Sequence, residues 1–358
     1  MKKGDLKAIR YGIDLIDSEI MGLLNRRMEL AVRSRRFKSN ISDPGREEQV
    51  LDNVKRLSHS LLRKEFSERL YRLIFDESKA LQDQNLRLIG FQGEHGAYSE
   101  VASLAHDPSL MPVSCKEFIE VFDEVSAGQL DFGIVPVENS LEGAVTQVND
   151  LLTETELVIV GEISIPVHHC LLALPETEYR DLKVVYSHPQ ALAQCRDFIS
   201  RHRLEPRPFY DTAGAAKMLS DDRPEAAAVI ANKLCAELYS LEIINENIED
   251  HPSNSTRFII LAKQKADVPG DKCSIIFAVK HEAGALFNVL KRFSDARINL
   301  TRIESRPARN NLGSYVFFAD FEGSDQDKRI VDALAAVKGE AMSYTFLGCY
   351  KSNKGVTE

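Results

Sequence analysis

No two of the six cysteines (Cys115, Cys170, Cys195, Cys235, Cys273, Cys349) form a C-x-x-C pair. Scattered in this way they argue against zinc and read as reduced, mostly buried thiols of a cytoplasmic protein. No apolar run approaches the length needed to cross a bilayer. The N-terminus, Met1-Lys2-Lys3-Gly4-Asp5, enters a charged helical pattern with no apolar targeting core. A nucleic-acid stripe is missing too. Residues 1–84 carry 18 Lys+Arg against 14 Asp+Glu, a balance of +4, which leaves −13 on residues 85–358 of a chain with net charge −9. The positive charges are interleaved with carboxylates and aromatics are few, so a small anionic ligand fits better than a polynucleotide. What is present is an ordinary globular composition, 44% hydrophobic and 28% charged. At 358 residues the chain is too long for one simple core and predicts two or three domains.

From Asp5 to about Asn40 there is no proline, and Ile9, Ile13, Ile16, Ile20, Leu23 and Leu30 recur at helical spacing. Such a helix runs roughly 50 Å at 1.5 Å per residue. That is too long for a small monomeric core and asks for a partner helix from a second subunit. Arg27 falls on this apolar stripe. A buried unpaired charge is costly, so Arg27 needs a carboxylate from protein or ligand. Lys38, eleven residues on, lies about three turns along and near the same face. Arg10 lies roughly 100° around the helix from Arg27 by the same geometry and suits a partner's pocket better than its own. Asp43-Pro44-Gly45-Arg46-Glu47 opens a second helix with Val50, Val54, Leu57 and Leu61 as its stripe. A third runs from about Phe66 to Gln82, with Ser78 and Gln82 sharing a face.

The order Arg10, Ile13, Asp17, Arg27-Met28-Glu29-Leu30-Ala31, Lys38, Asp43-x-x-Arg46-Glu47, Ser78-x-x-x-Gln82 resembles the all-helical mutase domain of bifunctional chorismate mutase–prephenate dehydratases. The resemblance implies that Arg27, Arg46 and Arg10 of the partner subunit hold two substrate carboxylates. Lys38 and Gln82 would hydrogen-bond the ether oxygen, and Glu47, Asp43 and Ser78 would contact the hydroxyl side. The connection from Lys38 to Asp43 is shorter than the family pattern. A Claisen rearrangement needs no nucleophile or cofactor, only a dianion held in a folded shape and charge stabilised on its ether oxygen.

After Gln84 the pattern changes. Leu86–Phe91 reads as a strand, followed by Gln92-Gly93-Glu94-His95-Gly96-Ala97-Tyr98-Ser99-Glu100, a turn suited to an anion held by backbone N–H groups at a helix start. Ile134–Val137, within the stretch Phe132–Gly143, is an apolar strand that delivers Glu138, Asn139 and Ser140 at its C-terminal end, where open α/β sheets bind ligands. Val158–Val160 and Ile163–Val167 are further strands. His168-His169 begins another, on opposite faces and therefore a poor metal pair. Val184–Ser187 is a strand running into His188-Pro189-Gln190, and His251–Thr256 is a loop feeding a strand. Alternating short strands and helices imply a two-lobed α/β domain with a cleft.

Gly96-Ala97-Tyr98-Ser99-Glu100, Val137-Glu138-Asn139-Ser140, Ser187-His188-Pro189-Gln190-x-x-x-Gln194-Cys195 and Asn254-x-Thr256-Arg257-Phe258 resemble prephenate dehydratases. The implied fold is that of periplasmic-type two-lobed binding proteins. By the resemblance Thr256 is the central hydroxyl, a positioned donor to the leaving hydroxyl of prephenate. Arg257 pairs either with a substrate carboxylate or with the protein, and Glu138, Asn139, Ser187 and Gln194 line the cleft.

A polar linker, Gln264–Asp271, precedes a βαββαβ pattern, which is ferredoxin-like. Gly284-Ala285-Leu286-Phe287 and Glu304-Ser305-Arg306-Pro307 resemble the paired motifs of the ACT regulatory domain. They imply a phenylalanine site at a subunit interface, with Gly284 allowing close backbone approach and Asn299 as a further contact.

These readings give three domains: a helical mutase (1–84), a two-lobed dehydratase (85–264) and an ACT domain (272–352). The expected activity is chorismate to prephenate to phenylpyruvate, inhibited by phenylalanine, in a cytoplasmic homodimer or homotetramer. No cofactor, metal, nucleic acid or membrane is expected. Two rivals remain: an arogenate dehydratase of the same architecture, and an amino-acid sensor without turnover, for which cations in a helical seam have no use.

Overall fold

A computed structural model of the chain describes residues 3–266, 268–307 and 315–353. It divides at Arg87/Leu88 into two compact units.

The first unit is all-helical: α1 (Lys3–Ser34), α2 (Pro44–Leu57) and α3 (Lys64–Asp83). At 32 residues α1 is about 48 Å long. Its stripe of Ile9, Ile13, Ile16, Ile20, Leu23 and Leu30 stays exposed in the single chain. The helix stops short of the expected Asn40. Ser34 Oγ donates back to Ala31 O at 2.7 Å, and a single 3₁₀ turn, Arg35–Phe37, follows. Lys38 therefore has extended backbone and lies off the helix, so the three-turn argument linking it to Arg27 does not apply. Helix α2 starts at the Asp43 cap, whose carboxylate accepts from Arg46 N at 3.0 Å. It ends before Leu61, which is fully exposed.

The second unit begins with β1 (Leu88–Gln92), α4 (Tyr98–His106), β2 (Met111–Cys115), α5 (Phe118–Ala127), β3 (Phe132–Asn139), β4 (Gly143–Ala144), α6 (Thr146–Leu152) and β5 (Val158–Pro166). The two strands expected over 158–167 are one. The second lobe holds β6 (Cys170–Ala173), β7 (Val184–Ser187), α7 (Pro189–Gln194), α8 (Arg196–Arg201), β8 (Glu205–Pro208), α9 (Thr212–Asp222), β9 (Ala227–Ala231), α10 (Lys233–Leu238) and β10 (Glu242–Asn245). The chain then returns through β11 (Ser255–Ala262) to the first sheet. The strand orders are β2-β1-β3-β11-β5, with β4 on β3, and β10-β6-β9-β7-β8. Two crossovers, β5 to β6 and β10 to β11, join the lobes, and His168-His169 lies in the first of them rather than on a strand. A shared apolar core runs from Phe91, Ile134 and Phe258 to Leu172 and Val229.

The chain ends in β12 (Lys272–Val279), α11 (Ala285–Asp295), β13 (Leu300–Pro307), β14 (Tyr315–Glu322), α12 (Lys328–Glu340) and β15 (Ser343–Tyr350). The antiparallel order β13-β14-β12-β15 is the ferredoxin-like arrangement expected. Phe277, Phe317 and Phe321 pack with Val289 of α11 and Val337 of α12. Strand alternation then turns Ser274, Phe318 and Asp320 to the other face, toward the dehydratase lobes.

Candidate active sites

In the helical unit Arg27 Nη1 donates to Ser78 Oγ at 2.8 Å, and its guanidinium lies 5.6 Å from the Phe75 ring centroid. Burial pulls the Arg27 pKa below its ordinary value, and among the described residues no carboxylate pairs with it. Ser78 completes its bonding by donating to Ile74 O at 2.6 Å. One turn on, Gln82 is buried, and its Oε1 has no hydrogen-bond partner among the described residues. Glu47 is held by Lys79 at 3.0 Å. One subunit thus brings Arg27 onto Ser78, with Gln82 one turn along the same helix. Arg10, Lys38 and Arg46 are exposed, and Asp43 serves as a helix cap. An underpaired cation beside an orphaned buried amide suits a polar anionic ligand.

The second cluster sits where the two lobes join. Asn139, at the C-terminal end of β3, donates through Nδ2 to Thr256 Oγ1 at 2.9 Å and to Asn254 Oδ1 at 2.8 Å. Its Oδ1 accepts from Leu141 and Glu142 N–H at 3.0 and 3.1 Å, which fixes the amide orientation. Asn254 Nδ2 donates to Gln194 Oε1 at 3.1 Å, and His169 Nε2 reaches the same oxygen at 2.8 Å. The Tyr98 hydroxyl lies 2.5 Å from His168 O and 3.0 Å from His169 Nδ1, and its single proton serves one of them at a time. Burial holds His169 below its ordinary pKa, so it is the neutral tautomer with Nε2–H donating to Gln194 and Nδ1 accepting. His168 pairs with Glu249 at 2.7 Å. Asn254, His169, Tyr98 and Glu249 were not among the expected site residues. Asn254 and Tyr98 lay inside the quoted motifs, whereas Glu249 had no signal of its own.

Two expected cleft residues, Ser187 and Glu138, are placed differently. Ser187 is wholly buried and donates to Ile230 O at 2.6 Å, so its hydroxyl does not line an open cleft. Glu138 and Arg257 face each other across β3 and β11, next to the Asn139–Thr256 pair and on the opposite side of the strands. Arg257 is committed to the protein's own carboxylates, Glu162 at 2.8 Å and Asp320 at 2.6 Å, the salt-bridge alternative of the two. The glycine turn likewise supplies its own anions. Gly96 N donates to Glu100 Oε2 at 2.6 Å and Glu94 N to Asp211 Oδ2 at 3.3 Å, so no external anion is needed there.

In the terminal domain Gly284 adopts a left-handed φ of +86° and opens α11. A cavity of about 110 Å³ beside it is lined by Val279, His281, Glu282, Leu286, Tyr315 and Phe317. Ser305 and Pro307 pair in register with Phe317 and Tyr315 and share this side, with Gly284, Ala285 and Leu286. Glu304 and Arg306 face the other way, and Arg306 Nε is buried with no hydrogen-bond partner among the described residues. Asn299 Nδ2 donates to Glu322 at 3.1 Å.

Three family matches follow the same order: chorismate mutase type II over residues 9–83, prephenate dehydratase over 89–266 and the ACT domain over 274–339. A bifunctional chorismate mutase/prephenate dehydratase of Pseudomonas aeruginosa is 37% identical over 96% of this chain and 97% of its own. Arogenate dehydratase 1 of Petunia hybrida is 41% identical over 77% of this chain and 70% of its own. Among solved structures, a prephenate dehydratase from Arthrobacter aurescens in complex with L-Phe has a TM-score of 0.67 at 33% identity, over 74% of this chain and 89% of that one. Helical mutase, two-lobed dehydratase and ferredoxin-like terminal domain thus stand in one order, and the chain belongs to the family of bifunctional chorismate mutase/prephenate dehydratases.

Proposed function

We propose that this enzyme rearranges chorismate to prephenate in its helical domain and converts prephenate to phenylpyruvate between the two lobes, under inhibition by phenylalanine bound in the ACT domain. In the first step Arg27 and Arg46, with Arg10 of the partner subunit, bind the substrate carboxylates. Gln82 and Lys38 stabilise charge on the ether oxygen, and Ser78, Glu47 and Asp43 orient the hydroxyl side. Pairing of exposed α1 seams in a homodimer brings that second arginine in.

In the second step the substrate loses carbon dioxide and its ring hydroxyl, which takes up a proton and leaves as water. The carboxylate electrons pass into the ring, which becomes aromatic. Thr256 gives the hydrogen bond to the departing oxygen, while Asn139 and Gln194 shape the pocket. The observation that carries this reading is the Thr256 hydroxyl, which accepts from Asn139 and donates to no described residue. A cytoplasmic location is part of the same proposal.

The test gives purified protein chorismate, prephenate or arogenate separately, with and without phenylalanine, and identifies the products. Phenylpyruvate from the first two, suppressed by phenylalanine, is the expected result. Turnover of arogenate alone would overturn it in favour of the arogenate reading.

A further inference from the structure

Asn139 and Thr256 present their side chains to the dehydratase site, so their neighbours Glu138 and Arg257 must present theirs to the back of the same two strands. On that back face three cations and three carboxylates from two domains meet. Arg257 contacts Glu162 at 2.8 Å and Asp320 at 2.6 Å, and Lys272 Nζ contacts Glu162 at 2.8 Å. Glu138 Oε2 lies 3.7 Å from Arg257 Nη1 and 4.0 Å from Arg302 Nε. Formal charges cancel, and apart from Glu138 at 45% no member is more than 13% exposed. A surface network would fix little, but a buried, balanced one fixes the position of every member.

Three of these anchors belong to the ACT sheet, Lys272 at the start of β12 among them. Asp320 on β14 and Arg302 on β13 are register partners, on the face away from α11 and α12. Asp320 is fully coordinated: Oδ1 accepts from Ser274 at 2.6 Å and Oδ2 from Arg257. Burial alone would push its carboxyl up, but Arg257, Arg302 and Ser274 outweigh burial and keep it ionised. Arg302 also donates to Asn149 Oδ1 of α6 at 3.2 Å, so it grips the dehydratase lobe at two points.

We infer that Asp320 and Arg302 are positioning residues of the dehydratase site, Asp320 acting through Arg257 on the strand that carries Thr256 and Arg302 acting through Glu138 on the strand that carries Asn139. The inference rests on the assignment of Thr256 and Asn139 to the dehydration step. Under it the ACT domain is part of the scaffold of that site, and any shift of β13 and β14 reaches the reacting groups through one covalent neighbour.

The test is steady-state dehydration of prephenate by the full chain carrying Asp320→Asn, Arg257→Gln, both together, Arg302→Gln or Arg302→Lys. Asp320→Asn keeps the shape and removes the charge. It should lower kcat tenfold or more with KM within about twofold of the unsubstituted protein. The double variant should be no slower than the slower single one, because both act through one contact. Arg302→Lys should retain more activity than Arg302→Gln. Multiplicative losses in the cycle, a raised KM with kcat kept, or kcat unchanged would each overturn the inference. If Asp320→Asn does not fold, as read from its melting curve, the two Arg302 variants decide, and equal activity in both overturns it. An unsubstituted protein that leaves prephenate unchanged would instead sink the assigned reaction.

Discussion

The Asn139 amide donates to the Thr256 hydroxyl across 2.9 Å, and among the described residues nothing accepts that hydroxyl's own proton. An oxygen that accepts a hydrogen bond gives up its proton more readily, since the charge left behind is already solvated. Thr256→Val removes the donor at nearly constant volume. It should lower kcat for prephenate dehydration by about a hundredfold or more, the low end of what a positioned acid contributes. Thr256→Ser should recover most of the loss, and chorismate consumption should be unchanged in both. Phenylpyruvate absorbance measures the first and chorismate absorbance the second; a fast Thr256→Val enzyme would remove the hydroxyl from the mechanism.

Arg27 makes the opposite case. Its guanidinium is half-buried against Phe75 and Ser78, with burial opposing its charge. Arg27→Ala should therefore leave the melting temperature nearly unchanged while chorismate rearrangement falls by on the order of a thousandfold, as expected when a charged contact to a dianion is lost. Dehydration of supplied prephenate should persist. A large fall in both activities would show that the two sites are not separate.

The domain order and both outer folds were legible because each rests on a local period: the three-and-four spacing of Ile9 to Leu23, and the βαββαβ alternation after Lys272. The sides of strands were not. Glu138 and Asn139 are adjacent polar residues, and which one shares a face with Thr256 depends on the register of β3 against β11, a contact between segments more than a hundred residues apart. The partners of Arg257 were equally hidden, because Asp320 lies in another domain. Lys38 was misplaced by a single competing bond, that of Ser34 to Ala31 O. Ser187 lay correctly at a strand end, but its burial depends on β9 beside it.

Burial of His169 also makes stability depend on pH. The unfolded chain takes up a proton on this side chain near pH 6.5. The folded chain takes it up only at lower pH, because burial outweighs the help of Gln194 and Glu249. Between those values the unfolded state holds more protons, so stability is fully present above about pH 6.5 and declines as pH falls through it. His106 shifts in the same direction, also by burial, and adds to the effect. The melting temperature should fall between about pH 7.5 and 5.5, at about 2–4 °C per kcal/mol for a domain of this size. His169→Gln, which keeps a neutral hydrogen-bonding side chain, should melt lower at pH 7.5 yet show a shallower slope. Calorimetry across that range checks both; parallel slopes would mean that His169 does not titrate there.

Gly348 joins β15 to the dehydratase domain at a point where no side chain fits. Its φ is +143°, and an added Cβ would lie 2.3 Å from Ile159 O and 3.2 Å from Ile159 N, backbone atoms of β5. Neither strand can give, since β5 is held by β11 on its other side and β15 by β12. Two residues on, Tyr350 is buried with its hydroxyl 2.7 Å from Ser274 Oγ, so moving β15 also loosens the groups around Asp320. Gly348→Ala should cost about 3 kcal/mol, near the upper end for a single substitution, and lower the melting temperature by roughly 6–12 °C. Dehydration should weaken with it while the mutase step survives, because Gly348 and the helical domain lie in different compact units. A variant that melts within a degree of the parent would show that β15 does not rest on β5 in solution, and the route from Asp320 to Thr256 would lose its support.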